Sequence, residues 1–290
     1  MACFVLPAAG QIQTTLTDVH HDVSRPLRDL ASTAPADAAV APREAEPARL
    51  IPIPPGVKPA GDPDPVLQRT LADAPGLLAP TPGLNFEGLG TGLPGFVIAG
   101  APPDTNGAVG LTQYVQWVNT SFAVFDKTTG AISLGPVAGK SLWLGFGGNC
   151  EVNNDGDPIV LYDKLADRWV FSQFSISNPN PPFGLGPFLQ CIAVSTTSDA
   201  TGTYNRYAFQ YSSFDDYPKM GVWPDAYYVT FNMFASPNFV FAGADACAYD
   251  RTAMLAGQAA TQICFQQGSS IGGLLPSDVD GHIPPPAGSP

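Results

Sequence analysis

The feature that most constrains the fold of this chain is an internal repeat in its second half. Three segments share one order of features: an acidic turn, a short apolar strand, and an aromatic residue followed by valine. The aromatic-valine pairs lie 55 and 59 residues apart, at Tyr114-Val115, Trp169-Val170 and Tyr228-Val229. A repeat of this length predicts one supersecondary unit that is used three times.

Each segment contains a second stretch in which apolar and small residues alternate. These stretches are Phe122 to Asp126, Ile192 to Thr196 and Cys247 to Asp250. Such alternation is typical of strands that pack on both faces. In the first two segments a Thr-Gly turn follows, and a further strand-like stretch comes after it. The unit is therefore expected to contain three or four antiparallel strands.

An antiparallel unit of this size predicts a β-propeller blade, since a single blade needs neighbours to bury both of its faces. We expect an all-β fold: a partial β-propeller of about three antiparallel blades plus the start of a fourth at 276–290. Such a set cannot close a ring, so we expect either a truncated propeller or an open arc. A β-sandwich is the alternative, although it does not explain the phased repeat.

The N-terminal part has a different composition from the repeats. Residues 17–85 are rich in Ala, Pro, Asp and Arg, without alternation or helical spacing of apolar residues. Such a segment buries too little apolar surface to offset its chain entropy, so we predict a disordered leader there. Residues 1–16 are interpreted as a signal-peptide remnant, and residues 86–290 as the repeat domain.

The charge pattern excludes some partners. The net charge is −12, and only seven Lys and Arg residues occur from Glu87 onward, so we expect no nucleic-acid partner. No apolar run outside the N-terminus is long enough to span a membrane. We expect a secreted protein, extracellular or periplasmic, whose partner is a carbohydrate or another cell-surface ligand.

The repeat region contains four cysteines, for which three disulfide connectivities exist. Proximity within the repeat favours Cys150 with Cys191 and Cys247 with Cys264. A zinc site is the rival interpretation, but the chain has no Cys-x-x-Cys pair and only three histidines, His20, His21 and His282.

The acidic turns that open the repeats suggest a cation site. A pattern of Asp or Asn, any residue, Asp or Asn, then Gly recurs at Asp104 to Gly107, within Asn153 to Asp157 and at Asp278 to Gly281. Hard cations prefer oxygen ligands on such turns, so calcium is the cofactor candidate, with Asp104, Asn106, Asp155 and Asp157 as ligands. The same residues are also common turn formers, and no bidentate Glu follows at EF-hand spacing. We expect the openings at Asp104, Asp155 and Asp216 to lie on one face.

A group of residues in the second segment resembles an Asp-box turn, S-x-D-x-G-x-T-W: Thr197, Asp199, Gly202, Thr203 and Tyr204. The glycine comes one position late, and Tyr replaces Trp. On these residues, the chain from about Pro102 onward resembles secreted bacterial β-propeller proteins of the sialidase-like type. The resemblance implies the fold and export. Sialidases use an arginine triad, but the only arginines here, Arg168, Arg206 and Arg251, occupy different positions within the repeat.

Two functions remain open from the sequence. The first is an exported binding or adhesion module, and the second is a glycan-active hydrolase or lyase with two carboxylates near the propeller axis. The carboxylate candidates are Asp104, Glu151, Asp155, Asp157, Asp216 and Asp225. Aromatic residues either stack on sugars or fill the space between blades: Phe183, Phe188, Tyr217, Trp223 and Phe239. Several ionisable groups in one axial pocket would favour the enzyme.

Overall fold

The computed structural model of the protein describes residues 12–33, 83–96, 102–176, 186–279, 281–287 and 289. Within these residues the chain is mostly β, and all paired strands are antiparallel. Its helices are short: α1 (Leu27–Thr33), a 3-10 helix (Gly139–Trp143), α2 (Gly148–Val152) and α3 (Arg251–Ala256). None of these helices is long and apolar enough to cross a membrane.

Each repeat forms a sheet in which four strands follow one another in sequence order. The first sheet contains β3 (Asn106–Val109), β4 (Gln113–Val118), β5 (Ser121–Asp126) and β6 (Ile132–Ala138). The second contains β7 (Ile159–Asp163), β8 (Arg168–Ile176), β9 (Phe188–Ser195) and β10 (Tyr204–Tyr211). The third contains β11 (Phe214–Val222), β12 (Ala226–Ala235), β13 (Val240–Asp250) and β14 (Thr261–Gln266). The three aromatic-valine pairs all lie in second strands, which confirms the repeat as a four-stranded unit.

The second sheet lies between the other two and is buried on both faces. On one face Phe171 packs edge-on against Trp117 of the first sheet, with ring centroids 6.0 Å apart. On the other face Phe209 packs against Tyr249 of the third sheet, at 4.7 Å. Strand β7 contacts both β3 and β11, so the first strands of the three repeats lie side by side.

Segments outside the repeats cover the outward faces of the two terminal sheets. On the first sheet, Phe86 packs against Tyr114 and Phe125, and Leu89 is buried beside them. On the third sheet, residues 267–279 run across the strands, with backbone hydrogen bonds from Gln267 to β13 and from Val279 to β11. Both coverings remove apolar surface from water, which stabilises the arrangement.

The expected start of a fourth blade at 276–290 is wrong for the described part of that segment, which contains no strand. Its prolines explain the difference, because proline has no backbone N–H to donate to a neighbouring strand. The segment instead supplies single contacts. The Asp278 carboxylate accepts a hydrogen bond from the Val222 N–H at 2.7 Å.

Residues 12–33, here called the N-terminal strap, contradict the prediction of a disordered leader over 17–85. Strand β1 (Ile12–Thr17) pairs with β14 of the third sheet, and β2 (His20–Val23) pairs with β10 of the second. The strap therefore belongs to the folded domain, whose predicted start at 86 is also wrong. The remainder of the predicted leader, 34–82, and residues 1–11 of the predicted signal remnant lie outside the described residues.

Side chains of the sheets hold the strap in place. The buried Arg206 of β10 forms two hydrogen bonds with the Asp22 carboxylate, at 2.8 and 2.6 Å. Its Nη1 donates to the backbone carbonyls of Leu142 and Leu144, so the guanidinium joins the strap to the region after the first sheet. Asp18 accepts a hydrogen bond from the Ala260 N–H at 2.6 Å. The edge strand β1 buries little apolar surface, so these polar contacts help to hold the strap against the sheets.

Both predicted disulfides are confirmed. Cys150 of α2 is bonded to Cys191 of β9, and Cys247 of β13 is bonded to its cross-strand partner Cys264 of β14. All four thiols are consumed, so the zinc interpretation of these cysteines is wrong.

The strap should contribute measurably to stability. Leu27 in α1 is fully buried in the core between the first and second sheets. Leu27→Ala is expected to lower the free energy of unfolding by about 2–5 kcal/mol, because it removes buried methyl groups and leaves a cavity. Urea unfolding followed by fluorescence measures this loss. Leu16→Ala, at a half-exposed site in β1, is the matched control and should cost much less. Equal stability of the Leu27→Ala and Leu16→Ala variants would contradict the packing of the strap.

Candidate functional site

A cavity of about 460 Å³ lies where the first strands of the three repeats begin. It is lined by the residues that open each repeat and by part of the C-terminal segment: Asp104, Thr105, Asn106, Asp157, Pro158, Ile159, Leu161, Tyr217, Pro218, Lys219, Met220, Leu275 and Pro276. Segments at or next to the three predicted openings therefore come together, although Asp155 and Asp216 themselves are not among the lining residues, and we call this space the axial cavity.

The three openings share an unusual backbone conformation. Asp104, Asp157 and Tyr217 have φ angles of 43°, 45° and 54°, in the left-handed region that residues other than glycine rarely adopt. Asp104 and Asp157 precede the first strands of their repeats, whereas Tyr217 lies within β11 at its bulge, and in the second and third repeats a proline follows the residue. Residues held in this way cost on the order of 1–3 kcal/mol each and cluster at functional sites. The strain recurs at the cavity in all three repeats.

Lys219 is the basic group of the axial cavity. Its Nζ lies 3.7 Å from the centre of the Tyr217 ring and donates a hydrogen bond to the Pro218 carbonyl at 3.1 Å. The carboxylates of Asp157, Asp104 and Asp216 favour its charged form, yet burial outweighs them and lowers the pKa of Lys219 below its usual value. A bulge in β11 between Asp216 and Lys219 shifts the register at this point.

The carboxyl group of Asp104 titrates differently from an ordinary Asp. Burial raises its pKa, nearby Lys219 opposes that change, and Asp216 adds to it. The cavity thus combines a carboxyl group that favours protonation, a lysine whose ammonium is partly desolvated, and further carboxylates. Such a set can exchange hydrogen bonds with hydroxyl or amide groups of a ligand, and it can hold a proton for transfer.

Three of the four predicted calcium ligands, Asp104, Asn106 and Asp157, line the axial cavity, and the side-chain Oδ1 of Asn106 accepts a hydrogen bond from the Val160 N–H at 2.8 Å. Asp155 lies elsewhere and accepts a bond from the Ile176 N–H at the end of β8. In the described part of the chain, the one close group of three potential metal ligands includes both cysteines of a disulfide, together with Asp245. Lys219 supplies positive charge among the carboxylates instead.

The other predicted carboxylates have structural contacts. Glu151 accepts a hydrogen bond from the Gly147 N–H, and Asp225 accepts one from the Tyr228 hydroxyl. Among the predicted aromatic residues, Phe188 is buried in the core, whereas Tyr217 is 42% exposed at the cavity. Trp223 and Phe239 are intermediate in exposure, and Phe183 lies outside the described residues.

The three arginines do not share a hydrogen-bond acceptor. Arg206 binds Asp22 of the strap, and Arg251 binds the buried Asp163 at 2.7 and 3.1 Å. Arg168 donates to the carbonyls of Ala166 and Asp167 in the turn before its own strand. Each guanidinium is thus used in holding local structure, and the three do not form a site for a substrate carboxylate.

Sequence reasoning found the acidic turns but missed Lys219 and its contact with Tyr217. A signal was present in the sequence: Asp157-Pro158, just before β7, corresponds to Tyr217-Pro218, which lies within β11. Aligning the repeats on these prolines, rather than on Asp155 and Asp216, would have placed Tyr217 and Lys219 at the cavity.

A smaller cavity of about 220 Å³ lies further along the same inner strands. It shares Leu161 with the axial cavity and is lined by residues of β3, β7, β11 and the C-terminal segment, including Val109, Val222 and Val279. The C-terminal segment thus forms a fourth wall beside the three inner strands.

In comparisons with known proteins, no family model matches the chain, and no curated protein matches it. The function must therefore be argued from the site itself.

The charge arrangement predicts the response to calcium. Because Asn106 and Asp155 are engaged in separate backbone hydrogen bonds and Lys219 lies among the carboxylates, millimolar calcium should leave the melting temperature unchanged. Scanning calorimetry in calcium and in chelator measures this difference. A calcium-dependent rise of several degrees, lost in the double variant Asp155→Asn/Asp157→Asn, would show that these turns bind the ion after all.

Proposed function

We propose that the protein is an exported, β-propeller-like binding module whose axial cavity takes a segment of a carbohydrate. The observation that carries this proposal is the convergence of all three repeat openings on one cavity that contains an exposed tyrosine and several charged groups. A set of unrelated surface turns would not be expected to meet in this way. The turns are the loops that vary most easily on a repeated scaffold, and such loops commonly carry binding residues.

The propeller-like arrangement is supported by the order of strands and by the turns between them. Each sheet is a sequential four-stranded meander, and the first strands lie nearest to one another. The Asp-box-like turn lies between the third and fourth strands of the second sheet, where Asp199 accepts a hydrogen bond from the Thr201 N–H. Asp126 and Asp250 accept corresponding backbone bonds at the same connection in the first and third sheets.

Export is supported by the two disulfides, because such bonds persist in oxidising compartments and are rare in reducing ones. The acidic net charge agrees with a partner that is not a nucleic acid.

The composition of the cavity suits a ligand rich in hydroxyl groups. Carboxylates accept hydrogen bonds from sugar hydroxyls, and the Lys219 ammonium donates to ring or hydroxyl oxygens. Tyr217 offers an apolar ring face together with a polar tip, the combination that carbohydrate contacts use. The adjacent Leu275 is 72% exposed and adds apolar surface at the cavity wall.

A glycan screen followed by titration calorimetry tests this proposal on the full chain. We expect a soluble oligosaccharide to bind, and we expect Tyr217→Ala and Lys219→Met each to weaken its binding at least about tenfold, which corresponds to about 1.4 kcal/mol. Lys127→Met is the matched control, because Lys127 contacts the Gly110 carbonyl outside the cavity. If every glycan that binds does so equally well in the two cavity variants, the axial cavity is not the binding site.

The burial of Asp104 near other carboxyl groups favours a second candidate, a glycan-active hydrolase in the same cavity. A carboxyl group whose pKa is raised by burial, with a second carboxyl group nearby, is the arrangement that general-acid catalysis of glycoside cleavage requires. In this reading Asp104 protonates the leaving oxygen, and Asp157 or Asp216 acts as the second carboxylate.

Release of reducing ends from polysaccharides separates the two candidates. A hydrolase should lose on the order of 100-fold or more of its turnover in Asp104→Asn while retaining ligand binding, because the variant removes only the acid. A pure binding module should release no reducing ends from any polysaccharide that it binds. Turnover that is unchanged in Asp104→Asn would rule out its role as the acid.

A further inference from the structure

Two carboxyl groups lie in the interface between the second and third sheets without the partners that buried charges normally have. Asp215 of β11 is fully buried, and no other residue in the described part of the chain hydrogen-bonds to its carboxyl oxygens; its own backbone N–H is the one donor that favours the charged form. Asp245 of β13 is also buried, and its Oδ1 has no hydrogen-bond partner among the described residues. Both residues face the second sheet, on the side of the third sheet that carries the core residues Val229 and Cys247.

The groups around these carboxyls are acidic or neutral. The charges that act most strongly on Asp215 are those of Asp216 on its own strand, Asp157 before β7 and Asp245 on β13. The phenol groups of Tyr211 on β10 and Tyr249 on β13 hydrogen-bond to each other nearby, and both interact electrostatically with the two carboxyls. Gln262 of β14 accepts a bond from the Tyr211 hydroxyl at 2.6 Å, while its Nε2 has no partner.

A carboxylate buried in this way is unfavourable, because it loses its hydration without gaining a cation or a donor from a neighbouring residue. The inexpensive form is the protonated acid, which carries no charge. Burial accordingly raises the pKa of Asp215 well above its usual value, and burial raises the pKa of Asp245 to about 6.

We propose that the interface between the second and third sheets is proton-linked: it is firm while Asp215 and Asp245 are protonated, and it loosens when they ionise. The second and third sheets pack over these carboxyl oxygens, and none of the described groups around them is a cation. Only a proton can therefore neutralise the two carboxylates, and this geometry is the basis of the proposal. Strand β11 also carries Lys219, so the buried carboxyl of Asp215 and a wall residue of the axial cavity lie on the same strand.

The direction of the effect follows from linkage. A group whose pKa is higher in the folded than in the unfolded chain contributes stability that is complete below the unfolded pKa, near 4, and is lost as the pH rises through the folded value. For each such carboxyl, the folding equilibrium constant falls about tenfold per pH unit inside that window. The stability that protonated Asp245 contributes is therefore lost between about pH 4 and about pH 6. For Asp215 the loss continues to higher pH.

Thermal or urea unfolding of the full chain between about pH 4.5 and pH 8 tests the proposal by comparison with Asp215→Asn. Other carboxylates contribute their own pH dependence, so the difference between the two proteins isolates the site. We expect the variant to gain at least about tenfold in its folding equilibrium constant relative to the wild type as the pH rises across this range. Asp225→Asn, which removes an exposed carboxylate, is the matched control and should follow the wild type.

Two outcomes would overturn the proposal. One is a wild-type-to-variant difference in stability that is the same at both ends of the pH range. The other is an infrared spectrum of the wild type that lacks the carbonyl band of a buried protonated carboxyl near pH 5. The spectrum decides the question even if Asp215→Asn does not fold, and Asp245→Asn then provides the second variant, whose band should be weaker at pH 5.

Discussion

The packing of the second sheet between the other two is the interaction on which the rest of the structure depends. This sheet is apolar on both faces, so it must have a neighbour on each side, and Phe171 and Phe209 make those contacts on opposite faces. Stacking sheets in this way leaves an outward face on each terminal sheet. Those faces are covered by residues 83–96 and 267–279, which do not repeat the four-stranded pattern.

The candidate site follows from the same packing. Because each repeat presents its first strand to its neighbours, the turns before those strands meet at one end of the stack. The backbone there is held in the left-handed region at Asp104, Asp157 and Tyr217, and the bulge in β11 brings Lys219 among the carboxylates. A repeated scaffold has thus produced a site whose chemistry differs from repeat to repeat, since one opening contributes an aromatic ring and a lysine.

The sequence predicted those parts of the structure that depend on local pattern. The aromatic-valine pairs marked the second strands, and proximity within the repeats was enough to pair Cys150 with Cys191 and Cys247 with Cys264. It failed for the strap because β1 and β2 are edge strands, which are held by backbone pairing and by Arg206 more than by apolar burial. The acidic pattern at Asp278 resembled a repeat opening, but the prolines after it prevent strand pairing. Tyr217 was a candidate as an aromatic residue, but Lys219 and its contact with Tyr217 were missed, because a bulge, which is invisible in a hydrophobic pattern, determines where the lysine lies.

The three repeats and the segments around them form one packed unit, in which the strap supplies one outer strand to each of two sheets. Hydrogen exchange of the full chain, followed by mass spectrometry, tests this most directly. We expect amides of Ile12–Thr17 and His20–Val23 to be protected to an extent comparable with their partner strands Thr261–Gln266 and Tyr204–Tyr211. Exchange of the strap amides within seconds, while the amides of those partner strands remain protected, would contradict the pairing of the strap with the two sheets.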